Sequence, residues 1–565
     1  MNISVDKTNL NNLLGVPNRQ LTIPPYQRPY AWEVEQVDEL WHDITDSLDE
    51  SHFMGSVVLC SSDEQRPEVI DGQQRLTTII LLLALIRDRY QILSPGLVGR
   101  VQQFLENPYA DPELRFKFQP GKANLRVFTD FVLHHPNSPA RRQWDEIKEL
   151  NGHELNRNSR LIANTERLKE YLDKYLQACT DPLNALDQIE HSIMKGLEFV
   201  VINVPDIANA FIIFETLNDR GLALSAGDLL KNHLLSEAAK ARESVEALAE
   251  DWDIVIDNLE GGDITRFLRH YLLTTYSTVQ KDDVFSLFKK EVSSRGVNRM
   301  IKDLKQMSRF YGQFIKPELV ADKGVREIYQ NLSTLRATMC YSALLAASAV
   351  LDFSTLRDFA RLCEVLTFRY STICSKDSKE LERFYHGAAK ALSTQGAAGL
   401  MDACHILESA SPKSEEFVLA FRSQSMGRQY IVNYIFRHIE NYLDPEEKTL
   451  ESTQHVHIEH IMPQTLSAAW REDLGEAADQ HELYVNRWGN LTLLGGKKNV
   501  SASNQTFAYK KALYSNSKIA MARELTQVEN WGIQEIEDRQ SRLAVLANTI
   551  WDFSTPLSNR AGLTG

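Results

Sequence analysis

The sequence predicts an α+β, multidomain and mostly helical chain, and three observations carry that expectation. Apolar positions recur at three- and four-residue spacing along 161–178, 226–250, 263–275, 296–316, 324–350, 355–373, 378–393 and 415–440, the spacing of helices with one buried face. Strand-like runs stand at the two ends, with Leu197–Val204 the one exception between them. The length, 565 residues at 43% hydrophobic and 24% charged composition, suits about three to four domains of an ordinary globular protein.

Taken in order, the first part spans 1–235. An apolar run at Gly55–Cys60, a polar turn and Glu68–Ile70 lead into Asp71-Gly72-Gln73-Gln74-Arg75, and an apolar helix follows over Leu76–Arg87. The stretch 107–160, rich in Pro, Asn, His and Arg, reads as a loop-heavy insertion near the helical arm, and Leu197–Val204 (LEFVVINV) as a strand returning to the N-terminal sheet. The second part, 236–443, is helical throughout. Asp444–Gln454 (DPEEKTLESTQ) is polar and turn-forming and predicts the linker to a third part, 444–565.

Strand, glycine turn and helix start together place backbone N–H groups where an anion would sit. Arg75 has the planar fork that binds two phosphate oxygens. Thr77 and Thr78 are candidates to cap the helix or to contact the same phosphate, Asp71 to orient a metal or a water, and Gln73 and Gln74 to polarise a water or read a base edge. Gln27 and Arg28, in YQRPYAW at Tyr26–Trp32, are candidate contributors from a facing loop. Tyr26, Tyr30 and Trp32 either stack on an extruded base or pack the loop onto its own domain. For Asn218, Arg220 and Gly221 two readings stay open, a nucleotide contact or a helix C-cap ending Ala208–Leu217. Asp228 and Lys231 read as an i, i+3 ion pair.

At the other end, HVHIEHIMPQ from His455 and NRWGNLTLLGGKKNVSASNQTFAYKK to Lys511 have the spacing of a one-metal nuclease hairpin. Phosphodiester hydrolysis needs a base for the proton of water and a hard cation for the charge on phosphate. His460 is the candidate base, and Glu459, with the amide oxygen of Asn499, the candidate ligand set for Mg²⁺ or Mn²⁺. Asn490 is grouped with His460 as catalytic, in the role of orienting the ring through backbone hydrogen bonds. His455 and His457 read as structural.

The chain as a whole is acidic, with 62 Lys plus Arg against 76 Asp plus Glu, which excludes a protein that coats DNA indiscriminately. Between Arg487 and Arg523, however, stand Arg487, Lys497, Lys498, Lys510, Lys511, Lys518 and Arg523 with no acidic residue. Such an island suits phosphate contacts, and Lys497, Lys498, Lys510 and Lys511 are its candidate DNA-binding residues.

The C-terminal motifs, Glu459-His460-Ile461, Pro463-Gln464, Gly489–Leu494, Asn499 and Phe507–Lys511, resemble the HNH or ββα-metal endonucleases in the variant found in GmrSD-type restriction enzymes. The N-terminal motifs, YQRPYAW, Asp71–Arg75 and FETLNDRGLALSAGDLLKNHLL at Phe214–Leu235, resemble the partner half of that family, a ParB and sulfiredoxin-like domain. The resemblance implies binding and hydrolysis of GTP or ATP at Asp71–Arg75. It also implies Type IV, modification-dependent cutting of phage DNA that carries modified cytosine or phosphorothioate. A nucleotide-dependent DNA-binding regulator that does not cut, and an RNA-directed abortive-infection nuclease, are the alternatives; a homodimer is left open.

No apolar run reaches about 18 residues and the N-terminus has neither basic n-region nor long h-region, which predicts a cytoplasmic protein without membrane contact. The six cysteines, Cys60, Cys179, Cys340, Cys363, Cys374 and Cys404, are scattered without C-x-x-C pairing, which predicts reduced, mostly buried thiols.

Overall fold

The computed structural model describes the chain except residues 1–2, 25–26, 28, 47, 49, 208, 211–212, 214–224, 446–455 and 554–565, and except the side chain at 153. The chain packs into two compact units. The first comprises 1–254 with 289–302, and the second 255–288 with 303–565. The division at 443 is crossed by one shared core, in which Phe368, Phe421 and Tyr434 pack with Trp488, Leu491 and Trp551.

The first unit is built on a six-stranded mixed sheet: β1 (Ser4–Asn9), β2 (Leu21–Thr22), β3 (His52–Cys60), β4 (Glu68–Asp71), β5 (Phe118–Gln119) and β6 (Leu197–Val204), in the order β1-β6-β3-β4-β2-β5. The expected return of 197–204 to the sheet is observed: β6 runs antiparallel to β1 (Ser4 opposite Asn203) and parallel to β3 (Val57 opposite Val201). The 107–160 stretch is not a peripheral insertion, because β5 extends the sheet beside β2 and Phe128, Phe131 and Leu133 enter the core.

The helix Gln73–Leu93 is the spine of this unit. Its residues from Leu76 to Leu83 are all buried, as a helix that is apolar all round must be. It ends at Ser94-Pro95, where proline removes a donor. Helices Ser159–Ala178 and Val34–Asp46 pack beside it, with Trp41 stacked on Tyr171 at 5.6 Å.

In the second unit β7 (Val456–His460) pairs antiparallel with β8 (Leu491–Gly495), Glu459 facing Thr492 and His460 facing Leu491. Helix Gly496–Ala502 follows at once, completing a ββα element. Helices Phe507–Ser515 and Ile533–Ile550 cover it.

Three expected helices are each broken in two. The 226–250 segment becomes Ala226–Lys240 and Val245–Asn258 around Arg242 at φ +59°, and 324–350 becomes Lys323–Thr334 and Tyr341–Val350 around Arg336 at φ +54°. The third, 415–440, becomes Ser414–Arg422 and Gln429–Leu443. Asp228 and Lys231 do not pair with each other: Asp228 closes a capping box with Ser225, and Lys231 reaches Asp253 at 3.5 Å. All six cysteines are free, with Cys179 and Cys374 half-buried and the rest buried. No described helix is long and apolar enough to cross a membrane.

Candidate functional sites

The hairpin of the second unit gathers the C-terminal motif residues. Asn490 is fully buried and uses its whole amide. Its Oδ1 accepts from Met462 N at 2.8 Å and Trp531 Nε1 at 3.0 Å, and its Nδ2 donates to Met462 O and Val485 O at 2.9 Å each. Asn490 therefore touches no substrate; it staples the turn that leaves β7 and so fixes where His460 stands. Gly489 precedes it because the Ile533–Ile550 helix passes too close for a side chain: a Cβ there would lie 2.1 Å from Ile536 O.

His460 is half-buried, and its Nε2 lies 3.2 Å from Asn486 Oδ1. An amide oxygen accepts, so Nε2 carries the proton and Nδ1 keeps the lone pair. Burial lowers the ring's pKa, opposed by the Asn486 hydrogen bond. A neutral imidazole at neutral pH is the form a general base needs. Asn486 was not singled out in the sequence; an isolated Asn in a polar run 26 residues from its partner leaves no signal.

Glu459 stands otherwise than expected. Its side chain is 7% exposed and its Oε1 accepts from the fully buried Lys510 Nζ at 2.6 Å, while the same ammonium donates to His460 O at 2.7 Å. Burial raises the Glu459 carboxyl and lowers the Lys510 ammonium, against their mutual attraction. The carboxylate is thus paired with a buried lysine. Lys510, in turn, is no DNA contact, because a buried ammonium cannot reach phosphate.

Asn499 does fit the expectation of an oxygen donor. Its Oδ1 is buried without a hydrogen-bond partner, an acceptor that a hard cation would satisfy. Among the described residues no group of three His, Cys, Asp or Glu side chains is arranged to hold a metal. Any divalent ion here would rest on few protein ligands and keep much of its water.

Of the basic island, Lys497 is exposed, and Lys498 and Lys511 are half-buried. Lys498 Nζ donates to Asn516 O, and Lys511 lies 6.0 Å from the Phe507 ring centre. Arg523 is paired with Asp444 at 2.9 Å. His455 lies outside the described residues; His457 is exposed.

In the first unit, Gly72 sits at φ +88° and opens the Gln73–Leu93 helix without a side-chain cap. Gln27, Gln73 and Gln74 tie the preceding loop to this turn. Gln73 Nε2 donates to Gln27 Oε1 at 3.2 Å, Gln27 Nε2 to Ile70 O at 3.1 Å, and Gln74 Oε1 accepts from Ala31 N at 2.7 Å. Gln73 Oε1 is buried without a partner.

Arg75 does not present its fork to the turn. Nη2 donates to Ser56 O at 2.8 Å and Nη1 to Met54 O, with Asp71 3.8 Å away. Burial lowers its pKa, opposed by Asp71. The guanidinium thus braces β3 against the helix, and Gly55, at φ +89°, leaves it room.

Thr77 and Thr78 do not cap the helix. Both are buried and donate to the carbonyls of Gln73 and Gln74, at 2.7 and 2.9 Å. Tyr30 is buried with its hydroxyl 2.7 Å from Thr78 Oγ1, so it packs its own domain. Arg28, Tyr26, Asn218, Arg220 and Gly221 lie outside the described residues.

Residues 10–235 match the N-terminal domain of the GmrSD restriction endonucleases, and residues 411–546 match their C-terminal domain. None of the curated proteins matches the chain. The two matches cover the uncapped glycine turn and the ββα hairpin in turn, and together they span more than half of the sequence. The chain belongs to the GmrSD restriction endonuclease family.

Proposed function

We propose that the chain is a Type IV restriction endonuclease that cuts modified phage DNA at an HNH-like site in its second unit, under control of a nucleotide bound in its first. The observation that carries the proposal is His460 at the end of β7, neutral, half-buried and held by Asn486 with Nδ1 free to take a proton. His460 deprotonates the attacking water, the new P–O bond forms, and the leaving oxygen departs opposite to it. Asn490 and the Glu459–Lys510 pair hold the strand end from which His460 acts. Lys497, Lys498 and Lys511 meet backbone phosphates. Mg²⁺ or Mn²⁺, held through Asn499 Oδ1, would neutralise charge on the phosphate when bound.

For the first unit, the N–H groups of the uncapped helix start after Gly72 suit the phosphates of GTP or ATP. Gln73 and Gln27 stand beside them, and Asp71 lies at the end of β4. Support for nucleotide use comes from family membership and this anion geometry together.

The test is cleavage of three DNAs of one sequence, unmodified, hydroxymethylated or glucosylated at cytosine, and phosphorothioated, with Mg²⁺ or Mn²⁺ and with or without GTP or ATP. Selective cutting of one modified DNA, abolished in His460→Ala with nucleotide hydrolysis retained, is the expected result. Loss of both activities together would refute two separate sites, and no cutting under any condition would refute the endonuclease.

A further inference from the structure

Two short helices, Gly496–Ala502 and Phe507–Ser515, follow β8 and are joined by the turn 503–506. They run antiparallel, because Lys498 Nζ near the start of the first donates to Asn516 O just beyond the end of the second. Ala502, Phe507, Lys510 and Tyr514 turn inward and are buried. Lys510 fixes the pair against the strand that bears His460, since its ammonium holds both Glu459 Oε1 and His460 O. The outer faces of the two helices are thereby held at a fixed place beside the candidate base.

Those faces have an unusual make-up. Lys497, Val500 and Ser501 on the first helix and Ala508, Tyr509 and Ala512 on the second are exposed, at the spacing of one helical face in each. Val500 is 79% exposed and Tyr509 48%. Each stands next in sequence to a group of the candidate site, Val500 after Asn499 and Tyr509 before Lys510. The charge around them has one sign. No Asp or Glu occurs between Arg487 and Arg523, and among the described residues Lys497, Lys498, Lys511 and Lys518 meet no carboxylate.

A helix face that only meets water mixes both signs of charge. A partner bound through phosphate alone would call for the lysines and leave the valine and tyrosine without a purpose. Duplex DNA satisfies both, with phosphates along the groove edges and sugar and base faces within. An anionic membrane surface would ask for a long apolar stripe, where these helices offer one valine and one tyrosine.

We infer that Val500 and Tyr509 are the groove contacts of the endonuclease. The lysines hold the strand backbones, Val500 packs on deoxyribose, and Tyr509 lies against a base at the step to be cut, which sets one phosphodiester before His460. The inference rests on the endonuclease reading and adds to it the residues that seat the duplex.

The experiment is a fluorescence-anisotropy titration of the full chain with the three DNAs of the cleavage test as labelled duplexes, over a series of salt concentrations, with cleavage rates on the same DNAs. Tyr509→Ala should weaken binding about tenfold and Val500→Ser about threefold at every salt concentration, leaving the slope of log affinity against log salt unchanged. Lys497→Gln should instead lower that slope by about one. Tyr509→Phe, which keeps the ring, should bind as the parent does, and the cleavage rate at saturating DNA should fall in Tyr509→Ala. Parent-like binding and cutting by both Tyr509→Ala and Val500→Ser would overturn the inference and leave the endonuclease reading standing. A parent chain that neither binds nor cuts any of the DNAs would overturn that reading, and the inference with it. Tighter binding of duplex RNA or of phosphatidylglycerol vesicles than of DNA, lost in Tyr509→Ala, would assign the surface to that partner and overturn the inference alone.

Discussion

Replacing Lys510 with methionine tests the arrangement around His460 most directly. The substitution keeps most of the stem and deletes the ammonium, leaving the Glu459 carboxylate, 5% exposed as a residue, without its 2.6 Å partner. Breaking one side of a buried pair costs about 3–5 kcal/mol, a large share of the roughly 5–15 kcal/mol that stabilises a typical domain. At about 1.4 kcal/mol per tenfold, amide exchange in β7 and β8 should accelerate on the order of a hundredfold or more, which hydrogen–deuterium exchange would read. The pH dependence has a definite sign. Burial raises the Glu459 carboxyl in the folded protein, and without the ammonium nothing opposes that rise. The folded state of the variant then holds a proton that the unfolded state releases, so its stability falls as pH climbs through the raised value and recovers on acidification. The deficit at pH 7.5 should therefore shrink at pH 5.5, and Glu459→Gln in the same chain should relieve much of it. Exchange within threefold of the parent at pH 7.5, or a deficit that grows on acidification, would refute the buried pair.

Asn486→Ala removes the hydrogen bond that raises the His460 pKa; cleavage should fall about tenfold, and the acid limb of the pH–rate profile should move to lower pH, as measured by initial rates on plasmid. Asn490→Ala orphans Met462 N–H, Trp531 Nε1–H and the carbonyls of Met462 and Val485. It should cost at least about 2–3 kcal/mol, seen as lost exchange protection around Met462. Gly72→Ala forces a Cβ at φ +88° to within 3.0 Å of Val57 Cγ2 and should cost about 1–2 kcal/mol, seen as a lower melting temperature. His270, buried against Tyr311, is held down to about 3 by burial. Its contribution is complete above its unfolded value near 6.5 and declines as pH falls from there toward 3. His270→Gln should therefore flatten the acid destabilisation of the second unit in exchange experiments.

Much of the candidate site around His460 was legible because its residues are bound to backbone geometry. Asn490, expected to hydrogen-bond backbone, does so at Met462 and Val485 and takes the Trp531 indole N–H besides, and the spacing from Glu459-His460 to GNLTLL is that of the observed hairpin. The error over Lys510 had a remedy in the sequence. Phe507, Lys510 and Tyr514 fall at i, i+3 and i+7 on one helix and are all buried, so the spacing placed that lysine inward while Lys511 points outward. Two of the broken helices left no comparable trace: Arg242 and Arg336 take positive φ where the sequence offers neither glycine nor proline. β1 was missed because SVDKTN is polar and exposed on an edge, with no apolar alternation to read. The anion reading of Asp71–Arg75 assigned the Arg75 guanidinium to a ligand, when three carbonyl and carboxylate groups on β3 and β4 already claim it.

The strand order of the first unit dictates a timetable for its birth on the ribosome. β6 lies between β1 and β3, so neither Ser4–Asn9 nor the inner edge of His52–Cys60 can acquire its neighbour until residue 204 has emerged. At roughly 5–20 residues per second, on the order of seven to thirty seconds pass while the apolar flank of Val57–Cys60 waits. During that interval a nascent chain holds β4, β2 and β5 together and offers an unpaired inner strand to any passing partner. Slow synthesis through this stretch, or a chaperone that shields β3, should raise the yield of soluble protein more than any change to the second unit.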